Sequence, residues 1–468
     1  MFSGLEKFGS RTALVNFNGD LWTYSALVSE ADELASFMEP RSVVLILCAN
    51  DAPSVACYVG ALRRRVVPLL ASSASNLGHI RALVQAYQPE FVWGPSSVVR
   101  SLGSDMRVIT TRSGEYELLG VRGNPCAEAI GEDLALLMST SGSTGSPVFV
   151  RQSYRNLVSN AKSICESLHM LEDDCAITTL PLNYTYGLSI LNTHLEIGAS
   201  IALSRLSITD RGFWDFLRAS GANNFGGVPY TYEMLRRFGF GFLRNTAIRY
   251  ITQAGGKLRS EWVSEISAAC LEASKGFFVM YGQTEASPRM SVLPLPDAVR
   301  HPSSIGRAIP GGAFWLEDER GQRLSEPGLI GELIYSGPNV ALGYASSRSH
   351  LARGDDFRGI LRTGDLASIN QDGLVTIVGR KKRFVKIFGN RVNLEDIEIS
   401  LRSRGIDNAC VGSDERITVY TEGAYDVEDI VKLVCDSSQI HRSAVRVVVS
   451  TTLPRAESGK IMYSKLDV

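Results

Sequence analysis

The chain has 468 residues, of which 44% are hydrophobic and 21% are charged, and its formal net charge is −1. A chain of this length and apolar content predicts about two to four structural units with a sizeable core. The near balance of acidic and basic residues gives no electrostatic indication of a nucleic-acid-binding protein.

The eight cysteines form no CxxC pair and do not combine with the six histidines at a zinc-site spacing. We therefore expect reduced thiols in a cytoplasmic protein. The N-terminal stretch lacks the basic start and apolar run of a signal peptide. The longest apolar runs, such as residues 43–49, are too short to span a bilayer, so we expect no membrane span.

From the N-terminus to about residue 310, apolar runs typical of strands alternate with stretches of helical spacing. This alternation predicts parallel sheets covered by helices. Glycine-rich turns follow some of the runs, at the strand ends where open α/β sheets bind ligands. These turns lie at 142–145, 226–227 and 255–256. The first predicted helices are 25–38, 52–64 and 77–87, and the first predicted strands are 42–49, 66–70 and 90–94.

Beyond about residue 311, short alternating runs broken by Gly, Asn and Asp predict a small β-rich subdomain over about 311–379. We expect it to complete a large N-terminal domain over 1–379 that also holds two α/β sheet subdomains. A small α+β C-terminal domain over 380–468 follows, and the boundary runs through the polar stretch "GRKKR" (379–383). The helices and strands predicted in that domain are 393–405, 415–422, 426–438 and 444–450.

The stretch "STSGSTGS" (139–146) combines two glycines with six hydroxyl side chains. Backbone N–H groups and hydroxyls in such a loop can surround phosphate oxygens. The stretch is not the common GxxxxGK[ST] phosphate loop, because no lysine follows Gly145. On its own it is equally typical of a flexible Ser/Gly connection.

The stretch "YGQTEAS" (281–287) follows an apolar run and brings an aromatic ring, a hydroxyl and a carboxylate to a strand end. Tyr281 offers a flat face for a nucleotide base, Thr284 a hydroxyl for a phosphate, and Glu285 a carboxylate for Mg²⁺. Taken alone, the stretch is also compatible with a strand-end turn that exposes a glutamate.

Three later positions add charge. Asp365 in "LRTGDLA" can accept both hydroxyls of a ribose, Arg380 can reach a ribose or phosphate, and Lys460 lies on a loop after a glycine. Each of them, taken alone, is compatible with a turn-forming aspartate or an exposed, solvated charge.

Six motifs in this order resemble the signature motifs of the adenylate-forming superfamily: "STSGSTGSP", "AGGKL", "YGQTE", "RTGD", "GRKKRFVKIFG" and "PRAESGK". That superfamily includes acyl- and aryl-CoA synthetases, adenylation domains of peptide synthetases, and luciferases. The resemblance covers nearly the whole chain. It implies activation of a carboxylic acid by ATP and Mg²⁺ to an acyl-adenylate, with release of pyrophosphate. The acyl group then passes to a thiol, either CoA or the phosphopantetheine of a carrier protein.

The resemblance also implies a role for each motif residue. Thr284 would contact the α-phosphate, Glu285 would hold Mg²⁺, and Lys460 would bridge the substrate carboxylate and the α-phosphate. A positioned cation relieves the repulsion between an anionic carboxylate and an anionic phosphate. The residues expected to contact ATP are Ser141, Gly142, Ser143, Thr144, Gly145, Gly255, Gly256, Lys257, Tyr281, Gly282, Asp365 and Arg380.

Lys382 matches the hinge position of the superfamily, about which the small C-terminal domain is expected to rotate between the adenylation and thioester steps. The rotation would remove Lys460 from the site. The alternative interpretation of Lys382 is a charged linker residue.

The acyl pocket is implied by "PLNYTYGLS" (181–189) and "NNFGGVPYTYEML" (223–235). Superfamily members that activate amino acids carry an aspartate in the first stretch. Residues 182–187 contain no acid, which argues against an α-amino acid, and the mix of Tyr and Gly suits a neutral acyl or aryl acid of small to medium size. The candidate pocket residues are Tyr184, Thr185, Gly226, Gly227 and Val228.

Val148 departs from the superfamily pattern, which usually has a lysine there that reaches the β- and γ-phosphates. Two hypotheses follow. The first is a free-standing acid–thiol ligase, since only "IMYSKLDV" follows Lys460 and any carrier would be a separate protein. The second is a non-catalytic nucleotide- or acyl-binding relative. Arg151 is a candidate to replace the missing charge.

Overall fold

The fold was analysed in a computed structural model. It describes residues 1–103, 106–112, 115–121, 129–139, 148–387, 390–413, 416–423, 425–438, 440–455 and 461–467. By their contacts these residues form two compact units. The first unit comprises the described residues within 1–139, 148–314 and 335–361, and the second those within 315–334 and 362–467.

Helices occur throughout the first unit and at two places in the second. The predicted helices near the N-terminus are confirmed within a few residues at each end. In chain order, the described α-helices are α1 (Tyr24–Ala35), α2 (Ala52–Arg64), α3 (Leu77–Tyr87), α4 (Ser96–Val99), α5 (Tyr154–Ser167), α6 (Thr185–Ile197), α7 (Arg211–Ala219), α8 (Pro229–Phe238), α9 (Phe242–Asn245), α10 (Ser260–Glu272), α11 (Leu295–Arg300), α12 (Leu394–Arg402) and α13 (Val427–Ser438).

Strands alternate with these helices as far as about residue 310 and then follow one another closely. In chain order, the described strands are β1 (Thr12–Asn16), β2 (Leu21–Thr23), β3 (Val43–Cys48), β4 (Val67–Ser72), β5 (Phe91–Pro95), β6 (Met106–Arg112), β7 (Tyr116–Val121), β8 (Leu134–Ser139), β9 (Phe149–Ser153), β10 (Cys175–Ile177), β11 (Ser200–Leu203), β12 (Asn224–Gly227), β13 (Tyr250–Gln253), β14 (Gly276–Gly282), β15 (Arg289–Pro294), β16 (Arg307–Ala308), β17 (Ala313–Glu317), β18 (Arg323–Leu324), β19 (Ile330–Ser336), β20 (Gly343–Ala345), β21 (Ile360–Ile369), β22 (Val375–Arg380), β23 (Phe384–Ile387), β24 (Asn390–Asn393), β25 (Asn408–Gly412), β26 (Ile417–Glu422) and β27 (Val445–Ser450).

Two large mixed sheets form the first unit. One has the order β16-β15-β14-β13-β12-β10-β11-β1-β2 and is parallel from β14 to β1. The other has the order β20-β9-β8-β4-β3-β5-β7-β6 and is parallel from β8 to β5. Antiparallel strands complete both edges of each sheet.

Local sequence explains why these elements form. All six residues of β3 are buried, which is expected for a central parallel strand covered on both faces. Helix α2 begins after Asp51, whose carboxylate accepts a hydrogen bond from the Ser54 backbone N–H, and a proline lies in its first turn. Helix α5 begins with a reciprocal capping box between Ser153 and Asn156. The buried strands and capped helices together produce the predicted α/β layers.

The second unit is rich in β-structure and includes two helices. Its sheets have the orders β18-β17-β19-β21-β22, β23-β24 and β25-β26-β27. Asn393 caps α12, as its position predicted, by accepting a hydrogen bond from the Glu395 backbone N–H at 3.0 Å. The sequence analysis omitted β25, because its "NACVG" lacks the apolar alternation of a typical strand.

The predicted fold class is confirmed: two helix-covered α/β sheets, a β-rich sheet and a C-terminal α+β part. The boundary between the N- and C-terminal domains at residue 379 stays a prediction. No helix in the described part of the chain is both long and apolar enough to cross a membrane.

Candidate functional site

Three neighbouring parallel strands of the first unit end at one edge of their sheet. Gly227 of β12 pairs with Gln253 of β13, and Gln253 pairs with Val279 of β14. The turn after β13 is tied to β12, because the Ala254 N–H donates to the Gly227 carbonyl at 3.1 Å. The predicted pocket residues at the end of β12, the glycines after β13 and the motif at the end of β14 therefore lie side by side, at the edge where open α/β sheets bind ligands.

Thr284 and Thr185 meet at this edge. Their Oγ1 atoms are 3.0 Å apart, and both residues are buried, at 8% and 4% exposure. The Gln152 amide donates to the Thr284 carbonyl at 2.8 Å, which fixes the backbone of the turn. Thr185 begins α6, so a predicted pocket residue and a predicted phosphate-contacting residue share one hydrogen bond.

Glu285 accepts a hydrogen bond that the sequence analysis missed. The Tyr344 hydroxyl donates to Glu285 Oε1 at 2.7 Å. Burial, and then the negative charge of Glu285, raise the pKa of Tyr344, so this hydroxyl stays a donor at neutral pH. The Ala341 N–H donates to the Glu285 carbonyl at 2.9 Å. The carboxylate is thus oriented by the segment around β20, which none of the recognised motifs includes.

Gly255 adopts a φ of +85°, a backbone conformation that favours glycine. A Cβ atom there would lie 2.5 Å from the Tyr184 hydroxyl and 3.1 Å from Val228 Cγ1. The Gln253 amide donates to the Gly256 carbonyl at 2.8 Å and holds the turn. Backbone and pocket side chains are therefore in direct contact here, and no larger residue fits at Gly255.

Tyr281 and Gly282 end β14. The ring of Tyr281 is partly buried against Ala286 and Met290, and the Gln283 amide donates to its hydroxyl at 3.3 Å. A Cβ atom on Gly282 would lie 1.8 Å from the Pro288 carbonyl oxygen, so glycine is required for packing within the turn. Lys257 is exposed.

The suggestion that Arg151 replaces the missing lysine at Val148 is wrong. Arg151 is fully buried, and its guanidinium forms an ion pair with Asp356 at 2.6 Å. It also donates to the carbonyls of Leu342 at 2.9 Å, Arg353 at 2.6 Å and Tyr344 at 3.2 Å. These contacts hold β9 to β20 and to the segment that follows it, so the guanidinium is occupied within the fold.

Asp365 and Arg380 lie in the second unit, opposite each other on β21 and β22. Arg380 Nε is 3.1 Å from Asp365 Oδ1, and the Asp365 side chain is 4% exposed. The Thr363 hydroxyl accepts a hydrogen bond from the Asp365 N–H at 3.1 Å. The two predicted ribose-binding residues thus form one pair.

The loop from Ser141 to Gly145, and Lys460, lie outside the described residues. The backbone of Lys382 belongs to the short 3₁₀ helix Lys381–Arg383, between β22 and β23. Its side chain is outside the description.

Gly226, one of the predicted acyl-pocket residues, lines a small cavity of about 20 Å³ in the first unit. A Cβ atom on Gly226 would lie 2.7 Å from the Tyr186 hydroxyl, so the glycine leaves space for that ring. The sequence analysis missed Arg289, which also lines the cavity. Its signal in the sequence is one arginine at the start of an apolar strand, separated from the "YGQTEAS" motif by Pro288.

The donor groups at the strand edge suit Mg²⁺ bound to a nucleotide. Magnesium is typically held by one or two carboxylates together with phosphate oxygens, and Glu285 supplies one carboxylate. Among the described residues, no three His, Cys, Asp or Glu side chains are grouped to hold a metal by themselves. The observed set therefore fits a cation that arrives with ATP.

An α/β sheet with glycines, hydroxyls and a carboxylate at one strand edge is the usual architecture of a nucleotide-binding protein. A family model described as "AMP-binding enzyme" matches residues 3–345, and the chain belongs to this family. The predicted membership of the adenylate-forming superfamily is thereby confirmed.

Two curated relatives and one solved structure illustrate the similarity. The oxalate–CoA ligase of Arabidopsis thaliana is 28% identical over 70% of this chain, and the L-proline–[L-prolyl-carrier protein] ligase of Streptomyces coelicolor is 29% identical over 71%. The chain spans 66% of the length of each, which is less than two thirds. The o-succinylbenzoate CoA synthetase of Bacillus subtilis, solved with an acyl-adenylate intermediate, superposes with a TM-score of 0.79 at 20% identity. That superposition covers 100% of this chain and 97% of the other, and it shows a shared fold.

Proposed function

We propose that the protein activates a carboxylic acid with ATP and Mg²⁺ to form an acyl-adenylate and pyrophosphate, and then transfers the acyl group to a thiol. The observation that carries this proposal is the contact of Thr185 with Thr284, beside Glu285, at the strand edge of an AMP-binding family member. A pocket residue and two candidate phosphate or metal ligands adjoin there, as a reaction between a carboxylate and a nucleotide requires.

In the first step, a carboxylate oxygen attacks the α-phosphorus of ATP, the new O–P bond forms, and the bond to pyrophosphate breaks. A bound Mg²⁺ would neutralise phosphate charge during this step. Thr284 donates its hydroxyl to the α-phosphate, and Tyr344 orients the Glu285 carboxylate. No general base is needed, since a carboxylic acid is already ionised at neutral pH.

The remaining roles follow the superfamily pattern. Tyr281 and the turn of Gly255, Gly256 and Lys257 hold the adenine, and Asp365 with Arg380 holds the ribose. The loop from Ser141 to Gly145 surrounds the phosphates. Lys460 supplies the cation between carboxylate and phosphate, and Lys382 is the hinge of a C-terminal domain that begins near residue 380.

The thiol acceptor is CoA or the phosphopantetheine of a carrier protein, since a CoA ligase and a carrier-protein ligase are both among the relatives by name. The proposal is tested by acid-dependent exchange of labelled pyrophosphate into ATP over a panel of acids. CoA and a carrier protein are then offered separately. The absence of exchange with every acid, despite measurable ATP binding, would support a non-catalytic relative instead.

Val148 is the observation behind that second candidate, and the engagement of Arg151 with Asp356 removes the substitute for the missing charge that the sequence analysis suggested. We predict that Val148→Lys lowers the KM for ATP in the exchange assay by about 3- to 10-fold, because one more cation faces the β- and γ-phosphates. Val148→Met is the matched control for side-chain length. A KM for ATP that Val148→Lys leaves unchanged would contradict this role for position 148.

A further inference from the structure

Arg289 is a buried arginine that forms no ion pair with a carboxylate in the described part of the chain. It is 2% exposed, and the titratable side chains that act on its guanidinium include Tyr184 and Tyr186. Burial lowers the pKa of its guanidinium, yet arginine stays charged in proteins. An unpaired buried charge is costly, and folded proteins normally pair it.

The contacts that Arg289 makes within the fold are weak. Its Nη2 lies 3.4 Å from Ser189 Oγ, which is longer than an ordinary hydrogen bond. Its guanidinium stacks over the ring of Tyr186, 4.6 Å from the centroid, and such contacts only partly offset the loss of hydration. Its Nε is buried and has no hydrogen-bond partner in the described part of the chain.

Tyr250 presents a second unsatisfied group to the same space. It lines the cavity together with Arg289, it is 3% exposed, and its hydroxyl has no partner among the described residues. Buried polar atoms of native proteins are almost always hydrogen-bonded, so each exception requires an explanation. Two buried donors on residues that line one cavity would be satisfied by an acceptor from outside the chain, either a water molecule or a ligand.

The rest of the cavity wall is neutral. Its described lining contains no aspartate or glutamate. Burial lowers the pKa of His194 to about 4, so this side chain is uncharged at neutral pH. His194 Nδ1 lies 2.8 Å from the Ile190 carbonyl, and its Nε2 lies 3.2 Å from the Asn224 amide. The described residues of the cavity wall therefore supply no anion to Arg289.

Helix α6 connects this cavity to the proposed reaction site. Thr185, its first residue, contacts Thr284, while Ser189, four residues later, contacts Arg289. Four residues of α-helix rise about 6 Å. An acid with one carboxylate at Thr284 and a second near Arg289 spans a distance of this order.

Building on the proposed function, we infer that the substrate is a short dicarboxylic acid whose second carboxylate binds Arg289 and the Tyr250 hydroxyl. The guanidinium edge formed by Nε and Nη2 can donate two parallel hydrogen bonds to a carboxylate. A neutral acyl tail, as the sequence analysis expected, leaves both donors unpaired. An α-ammonium group in the cavity would be repelled.

The test compares diacids with neutral analogues of the same length. Malonate, succinate and glutarate are each assayed by pyrophosphate exchange beside their monomethyl esters, with the wild type, Arg289→Leu and Arg289→Lys. For at least one diacid, the wild type should have a KM at least about 10-fold below that of its monoester. Arg289→Leu should raise the KM for that diacid by about 30-fold or more and remove the preference. Arg289→Lys keeps the positive charge and should retain part of the preference for the diacid.

Arg211→Leu is the matched control. It replaces an arginine by leucine outside the cavity, at a side chain that is 95% exposed. Equal use of diacids and monoesters by the wild type, or a preference that survives in Arg289→Leu, overturns the inference while the proposed function stands. If no acid supports exchange, the proposed function fails. The inference is then tested by the change in melting temperature that each diacid causes. Diacids should then stabilise the wild type and not Arg289→Leu, and the absence of this difference overturns it.

Discussion

Two buried arginines of the first unit differ in how their charge is compensated. Arg151 on β9 is 0% exposed and has an ion pair with Asp356 and three backbone carbonyls as acceptors. Arg289 on β15 is 2% exposed and has one long contact with Ser189 and a ring contact with Tyr186. Burial lowers the pKa of both guanidinium groups, but only that of Arg151 is opposed by a carboxylate.

This difference suggests different functions: Arg151 stabilises the fold, and Arg289 binds a ligand. A satisfied buried charge stabilises the arrangement around it once it has formed, because removal of either partner leaves the other unpaired. An unsatisfied one costs stability, and the fold retains it only where another interaction compensates. The same residue type at similar burial therefore has two functions, and mutation should distinguish them.

The largest effect is expected for Arg151→Met. The carbonyls of Leu342, Arg353 and Tyr344 lose their donor, and Asp356, which is half exposed, loses its partner. We expect a loss of about 3–5 kcal/mol in the free energy of unfolding, measured by urea titration. Arg211→Met serves as the exposed control and should change little. If Arg151→Met lowered the free energy of unfolding by less than about 1 kcal/mol, the conclusion that Arg151 stabilises the fold would be contradicted.

Arg289→Met should behave in the opposite way. The cation–π contact with Tyr186 is worth about 1–2 kcal/mol, which is less than the several kcal/mol that an unpaired buried charge costs. In the absence of substrate we expect the variant to be as stable as the wild type or more stable by about 1–2 kcal/mol, in the same titration. A destabilisation as large as that of Arg151→Met would mean that Arg289 serves the fold.

The sequence predicted six helices and strands between residues 25 and 94 to within a few residues, because buried parallel strands and capped helices have strong local patterns. Thr185, Thr284 and Glu285 lie within recognisable motifs, and their roles as site residues stay predictions. The sequence could not predict the roles of Arg151 and Arg289. Whether a buried arginine finds a carboxylate depends on residues far away in the chain, such as Asp356, which is 205 positions from Arg151.

Tyr344 was missed for the same reason, and it connects the Arg151 region to the proposed chemistry. Its carbonyl accepts from Arg151 Nε, and its hydroxyl donates to Glu285 Oε1 at 2.7 Å. Tyr344→Phe removes only the second interaction and keeps the ring contact with Phe357. Because the residue is 42% exposed, we expect the loss of this hydrogen bond to weaken Mg²⁺ binding by about 1 kcal/mol. This corresponds to about a 5-fold rise in the Mg²⁺ concentration for half-maximal exchange.

The Mg²⁺ dependence is the readout that assigns Tyr344→Phe to positioning of Glu285. The free energy of unfolding should stay within about 0.5 kcal/mol of the wild type, since the carbonyl still accepts from Arg151 and the phenyl ring still packs. The KM for the acid should also be unchanged, because Tyr344 is not among the described residues that line the Arg289 cavity. If Tyr344→Phe raised the KM for the acid and left the Mg²⁺ dependence as it was, Tyr344 would belong to the acyl pocket and Glu285 would be oriented by other groups.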